Sequence, residues 1–530
     1  MTDLSSITAY NFIVDLNNPD SAIREKSISL LPSIAQILGP ERTILELIPY
    51  TICSPAFTES ELCQALQQIS KIDFSEYSEE HFEAIFDSLD PLSKIENPVI
   101  VNENAELIKF ICSLPFKTDS SKYNSIVPKR ISRYLNDRFP SKQVTGIHLA
   151  SASFPFLSSE KQNSVLSDFL NTAQNAKSLF TQKYVIDACA TFIKFTNNQS
   201  IFDLVLKYSN SRSPTVAFSI PQFIVSYLSK PDSEYSTVSP IIQSSLKSPN
   251  KRLKYNILNS LKDINQAKEI PNDAIFDIFN TAITDIDEEV RIAAASQASL
   301  LPINSEKSQE IINSFAYDVH SPHVRTAVIE ELSKFSEESP EFVKDTIKSL
   351  LKDQVREVRL GVIDSLRNIK LADDSILPSI LIDYLDNSNE WREHFEVANL
   401  FVFRKMHDIE ILRKLLFDDS IKVRLLIVSS LPKMSYFNND ELMPIISDAA
   451  TDLDYQIRQI AVLSIISKEI YDQKGIEILN CLSKDEVSNV RLVIAKYTPR
   501  KISLVEIFKE DPDEDVRDLA ILDECSPIQP

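Results

Sequence analysis

Apolar and polar positions along this chain repeat one phrase. Residues 285–302 read DIDEEVRIAAASQASLLP: an acidic turn, then Val290-Arg291, then small and apolar residues. The phrase returns as DVHSPHVRTAVIEELSKF and as DQVREVRLGVIDSLRNIK. In VRLGVIDSL the apolar positions are Val358, Leu360, Val362, Ile363 and Leu366, with Arg359, Asp364 and Ser365 between them, which is helical spacing. The other half of each unit is also helical, as in ILPSILIDYL (376–385) and ELMPIISDAA (441–450), with proline near a helix start or at a kink. Each unit therefore reads as helix, turn, helix.

The arginine of each Val/Ile-Arg pair measures the period. It falls at Arg291, Arg325, Arg359, Arg424, Arg458, Arg491 and Arg517, at intervals of 34, 34, 65, 34, 33 and 26. The interval of 65 holds two units, and His394 stands where the missing arginine belongs. Arg24, in NPDSAIREKSISLLPSI, marks one clear copy near the N-terminus. Between them the phrase fades, and the spacing with the polar-turn-then-apolar pattern places units near Leu62, Val101, Thr145, Thr181, Ala217 and Lys254. The total is about fifteen. A fixed period of this size is the mark of a solenoid, in which stacked neighbours bury a stripe that one unit cannot bury alone. The expected fold is all-α: one α-solenoid over 1–530. An acid before Val-Arg can cap the second helix, the valine faces the core, and the arginine can reach an acid of the neighbouring unit. Read as an exposed contact, such a pair is worth about 0–1 kcal/mol and serves mainly to set register.

Composition removes several function classes. The 530 residues include only four glycines, Gly39, Gly146, Gly361 and Gly475, none near another. A phosphate-cradling loop or a GxSxG elbow is therefore excluded. The formal net charge of -21 opposes the basic footprint of nucleic-acid binding. One basic stretch, PKRISRYLNDRFPSK (128–142), reads as a solvated helix face. Six scattered cysteines without CxxC read as small buried hydrophobes in a reducing compartment. The N-terminus lacks a basic n-region, and no apolar run approaches the ~20 residues of a membrane span. The expected location is cytoplasmic, with the nucleus a second possibility. His320 and His323 form HSPH but no third metal ligand has suitable spacing, so no metal, no cofactor and no small-molecule substrate is expected.

Two-helix units with proline in the first helix and Asp…Val-Arg opening the second resemble HEAT repeats. GPERTILELIPY (39–50), REVRLGVIDSLRNI (356–369), ILPSILIDYLDNSNEW (376–391), DLDYQIR (452–458), SNVRLVIAKY (488–497) and DEDVRDLA (513–520) resemble the scaffold (A, 65-kDa regulatory) subunit of type 2A serine/threonine protein phosphatases. The resemblance is specific at the first unit and from about residue 285 onward. It implies a right-handed, horseshoe-like superhelix that is not an enzyme. A variable regulatory subunit would occupy turns in residues 1–300, and the phosphatase catalytic subunit the turns in 376–530, near 388–394, 418–424, 452–458, 485–491 and 512–517. Carried over onto this chain, the catalytic-subunit contacts are Trp391, Arg392, Ile421, Tyr455, Val487, Asn489 and Arg491. Arg252 and Lys254 would face the regulatory subunit. His394 and Glu393 depart from the family pattern, as does Ser420-Ile421-Lys422, where the family turn is more aromatic. The competing expectation is another HEAT adaptor, such as a nuclear-transport receptor of the importin-β type, for which an acidic solenoid suits basic cargo.

Overall fold

The computed structural model describes residues 11–521, apart from 75, 76, 78, 115–120, 211–213, 304, 370–375, 500 and 501. Cys525 and the CSPIQP tail lie outside the described residues. Among those described, the chain is helical throughout and holds no strand. It is an α-solenoid of paired helices. Its contacts divide it into two compact units, Met1–Ala282 and Ile283–Pro530.

In the first unit, second helices pack beside second helices: Glu59–Ile69, Pro98–Ser113, Pro140–Ser153, Leu179–Phe192 and Ser219–Leu228 in succession. First helices line up likewise, from Glu79–Leu89 through Ser121–Leu135 and Ser159–Asn175 to Gln199–Ser209. Leu62, Val101, Thr145, Thr181 and Lys254 fall inside second helices, and Ala217 in the 3₁₀ turn that leads into one. Aromatic rings fill the seams: Phe192 meets Phe154 and Phe169 with centroids 4.8 and 4.7 Å away.

The seams here are tied differently from those further along. On the first helix Ser121–Leu135, Arg130 reaches Asp87 at 2.5 Å and Tyr134 donates to Asp90 at 2.5 Å. Arg133 also pairs with Asp90 at 3.1 Å, and Lys142 with Asp137 at 2.9 Å. These pairs neutralise much of the 128–142 stretch. Other ties join second helices without a Val-Arg arginine: Gln67 donates to Glu103 at 2.9 Å and Ser219 to Asp187.

In the second unit, the second helices run Glu288–Ala295, Pro322–Ile329, Arg356–Ser365, Trp391–Phe403, Ile421–Ser430, Tyr455–Ser467, Ser488–Tyr497 and Glu514–Ile521. Each packs beside the next. The residue before each ladder position is buried: Val290, Val324, Val358, Val423, Ile457, Val490 and Val516 are at most 1% exposed. Proline stops some of these helices. Ile421–Ser430 passes at Leu431 into a 3₁₀ turn, Leu431–Lys433, where Pro432 has no N–H with which to continue the α-helical bonding.

One expectation changes. The described cysteines form no disulfide, and among them only Cys112 and Cys189 are buried; Cys53 and Cys481 are exposed and Cys63 is half-buried. Among the described residues no group of three or more His, Cys, Asp or Glu is placed to hold a metal, and no helix is long and apolar enough to cross a membrane.

Candidate functional site: the turn edge

The turns of the second unit share one construction. Asp285, Asp353, Asp418, Asp452, Asp485 and Asp511 stand six residues before the ladder position of their own unit, and Asp318 stands seven before. Each carboxylate accepts the backbone N–H two residues on, from Asp287, His320, Val355, Ser420, Asp454, Val487 and Asp513. The arginine of the same unit donates Nη1 to that aspartate's carbonyl oxygen, from 2.6 to 2.9 Å. Its remaining donors reach the carboxylate of the next unit: Arg291 to Asp318, Arg325 to Asp353, Arg424 to Asp452, Arg458 to Asp485 and Arg491 to Asp511, all with Nε–O distances of 2.7 to 2.9 Å. Arg24 in the first unit makes the same kind of tie to Glu61 at 2.8 Å. Arg517 keeps the carbonyl contact to Asp511.

Two features of the ladder differ from the sequence expectation. The helix caps are separate residues: Asp287 and Asp454 accept from Glu289 and Gln456 at the helix start, while the ladder acids lie two residues earlier. The pairs are also not exposed. Their side chains retain between 5 and 16% of their accessible surface, so the weak-surface-pair estimate does not apply. Burial alone would raise the carboxylate pKa values of Asp318, Asp353 and Asp485, but hydrogen bonds from arginine and backbone N–H groups outweigh it and hold them below the ordinary range. Asp511 is lowered chiefly by its bond to Arg491.

At 388–394 the construction is rewired. Ser388 takes the place of the ladder aspartate, and Glu393 supplies the missing carboxylate from the helix itself. Glu393 is 1% exposed and accepts from Arg359 at 2.5 Å, from Tyr384 at 2.5 Å and from Ser388 at 2.8 Å. Burial would raise its pKa, but these three donors lower it. His394 takes the arginine's place. Its Nε2 lies 3.0 Å from the Ser388 carbonyl oxygen, and its Nδ1 contacts the Asp418 carboxylate. The sequence signalled this rung by an acid appearing at 393 where one vanished at 388.

The residues carried over from the phosphatase scaffold fall in this frame. Trp391, Ile421 and Tyr455 each stand three residues before their ladder position, at the first residue of a second helix, and all three are half-buried. Equivalent positions on adjacent helices lie along one edge. Contacts bridge neighbouring turns there: Lys422 Nζ lies 4.8 Å from the Trp391 ring, and Gln459 donates to the Asn489 carbonyl oxygen at 2.8 Å. Arg392 covers Trp391 at 5.1 Å. Val487 stands at the N-cap position of its helix without a side-chain cap bond, and Asn489 is exposed. Arg491 is 8% exposed, with its guanidinium bonded to Asp511 and to the Asp485 carbonyl. The edge also holds two apolar side chains that the sequence reading passed over, Phe417 at 62% exposure and Leu453 at 97%. Arg252, exposed, and Lys254, half-buried, sit in the first unit on the helix Lys251–Asn259, which Asn250 caps through the Leu253 N–H.

Set beside known proteins, the chain matches no family model. It is 30% identical over 159 residues to a protein phosphatase 2A scaffold subunit of Dictyostelium discoideum; the match covers 30% of this chain and 26% of that relative. Among solved structures it is similar to Kap121p, at 12% identity and a TM-score of 0.58 over 98% of this chain and 59% of that one. It is also similar to Kap95p, yeast importin-beta, at 13% identity and a TM-score of 0.56 over 98% of this chain and 76% of that one. At such identities the structural likeness speaks for the fold, a HEAT-type helical repeat, and for nothing finer.

Proposed function

We propose that the chain is a non-catalytic scaffold subunit of a type 2A serine/threonine protein phosphatase. The catalytic subunit would sit on the turn edge within 376–530, and a variable regulatory subunit on turns within 1–300. The observation that carries the reading is the edge itself: Trp391, Ile421 and Tyr455 occupy equivalent register positions, with Trp391 half-buried at a turn and flanked by Lys422. Tryptophan held at an accessible turn is the kind of residue that anchors an interface. The similarity over 159 residues to a phosphatase scaffold supports the choice of partner. The ladder fixes the turns, and the turns present the partner's contacts. The role is to hold two proteins together, which supplies proximity rather than chemistry. We place the protein in the cytoplasm, with the nucleus as a second site.

The test is binding of the purified chain to the type 2A catalytic subunit of its own organism, with Trp391→Ala beside it. The wild type should bind, and the variant should lose about 2 kcal/mol or more, roughly thirtyfold in Kd. Binding without loss in the variant moves the anchor elsewhere on the edge. The same fold serves Kap121p, which has been solved bound to RanGTP. Binding of this chain to RanGTP, with none to the catalytic subunit, would replace the proposal with a transport adaptor.

A further inference from the structure

The rung at His394 differs from its neighbours in chemistry. Its Nε2 faces the Ser388 carbonyl oxygen at 3.0 Å, and its Nδ1 faces the Asp418 carboxylate. A peptide carbonyl can only accept, and an ionised carboxylate can only accept. A neutral imidazole has one N–H and one lone pair, so either tautomer sets one lone pair against another. The imidazolium donates at both ends. Arginine in the same place donates at both ends at every physiological pH. Among the described ladder positions from Arg291 to Arg517, His394 is the one that can lose its proton.

We propose that this rung is a proton-operated joint: protonated His394 fastens the turn at 388–394 to the turn at 417–424, and deprotonation loosens it.

The groups around the ring support a charged resting state. Asp418, from the turn before helix Ile421–Ser430, is in direct contact. Glu393, its neighbour on the same helix, is occupied by Arg359, Tyr384 and Ser388. Asp386 at the end of helix Ile376–Asn387 and Lys414 on helix Ile409–Leu416 pair with each other at 2.5 Å. Asp419 is exposed at the cleft edge. Arg424 faces the backbone side of Asp418 and Asp419, donating Nη1 to their carbonyl oxygens at 2.8 and 3.1 Å. Lys422 lies over Trp391. The Asp418 hydrogen bond holds the imidazole above its usual pKa, with burial opposing and the charges of Asp418 and Glu393 adding to it.

A folded pKa above the unfolded one fixes the sign. The rung's contribution is complete below about pH 6.5 and is lost as pH rises through the higher folded value. The joint has a place to act. His394, Trp391 and Phe417 line one cleft of about 430 Å³ between the two turns. Loosening the rung loosens the walls of that cleft, on the edge that carries Trp391.

The experiment is backbone amide exchange on the full chain at pH 6 and pH 8.5. Peptides covering 386–394 and 417–420 are compared with those of the neighbouring arginine rung, 452–458, so that intrinsic exchange chemistry cancels. In the wild type, protection at the His394 rung should fall relative to the arginine rung by about tenfold, the size of one charge-assisted hydrogen bond. In His394→Arg the relative fall should vanish. In His394→Gln protection should be low at both pH values. A wild-type ratio that does not change with pH overturns the proposal, as does an unchanged response in His394→Arg. If the variants fail to fold, the wild-type ratio decides alone. None of these readouts involves a phosphatase subunit, so the result stands apart from the function proposed above.

Discussion

Removing one ladder arginine should cost far more than an ordinary surface ion pair. Arg458 is the clearest case. Its Nε and Nη2 hold both carboxylate oxygens of Asp485 at 2.7 and 2.9 Å, and its Nη1 holds the carbonyls of Asp452 and Leu453 at 2.8 and 3.1 Å. The two side chains keep only 11 and 6% of their exposure. In Arg458→Ala the Asp485 carboxylate stays partly buried and keeps the Val487 N–H as a donor. An exposed pair would be worth about 0–1 kcal/mol. Breaking a buried pair from one side costs about 3–5 kcal/mol, because a charge is left without its partner. The geometry puts Arg458 with the second class.

Repeat arrays do not unfold as one two-state body, so a single melting curve would blur the answer. Amide exchange resolves it, because each turn reports its own opening free energy. We expect losses of about 3–5 kcal/mol at 452–458 and 485–491 and no change in the first unit. The double variant Arg458→Met/Asp485→Leu, which removes both charges and keeps apolar volume, should recover most of the loss. A loss below about 1 kcal/mol in Arg458→Ala would place the rung among surface pairs and refute the reasoning. So would a double variant as damaged as the single one.

Acid should act on the ladder from the other side of neutrality than it does on His394. The lowered pKa values of Asp318, Asp353 and Asp485 mean that their contribution is present above the unfolded carboxylate value of about 3.9 and is lost as pH falls through the folded values. Asp485→Asn should therefore weaken the chain at pH 7 but flatten its loss of helical signal below about pH 4; an unchanged acid slope would count against the assignment. Gly475→Ala should be among the worst small substitutions, since the new Cβ would lie 2.1 Å from the Ile470 carbonyl oxygen; a loss of about 1–3 kcal/mol or more is expected in denaturant titration. Gly361→Ala should be near neutral by the same measurement, because its Cβ meets the methyl group of Thr326 at 3.0 Å and alanine gains helix propensity of about 1 kcal/mol. Glu393→Gln should expose the Arg359 rung to faster amide exchange, because Arg359, Tyr384 and Ser388 all lose a charged acceptor.

The period and the two-helix unit were legible because the buried Val/Ile and the bonded arginine recur side by side. The division of labour among the acids was not. In DLDYQIR two aspartates stand two residues apart, and sequence does not say which one caps and which one receives an arginine from a unit 28 residues away. Trp391 could be placed at a turn, but Lys422 over its ring joins neighbouring units across 31 residues. Phe417 and Leu453 were passed over for a different reason: an apolar residue beside a ladder acid carries no periodic signal of its own, yet both are exposed, Leu453 inside the Asx turn of Asp452 and Phe417 just before that of Asp418. Between 60 and 280 the units were hard to place because their ties, such as Arg130 to Asp87 and Gln67 to Glu103, use differing residue types with no fixed phrase.

The arginine rungs Arg424, Arg458 and Arg491 each present a donor toward the C-terminal side, and their units each present an acceptor toward the N-terminal side, so these joints are interchangeable with one another. Excising residues 419–452 would leave Asp418 in the place of Asp452, six residues before Arg458, with His394 still behind it and Asp485 still ahead. A gene coding for such a chain can lengthen or shorten by whole periods without inventing a new joint. A change of one whole period then leaves the remaining rungs paired, so the number of units can vary while the joint stays the same.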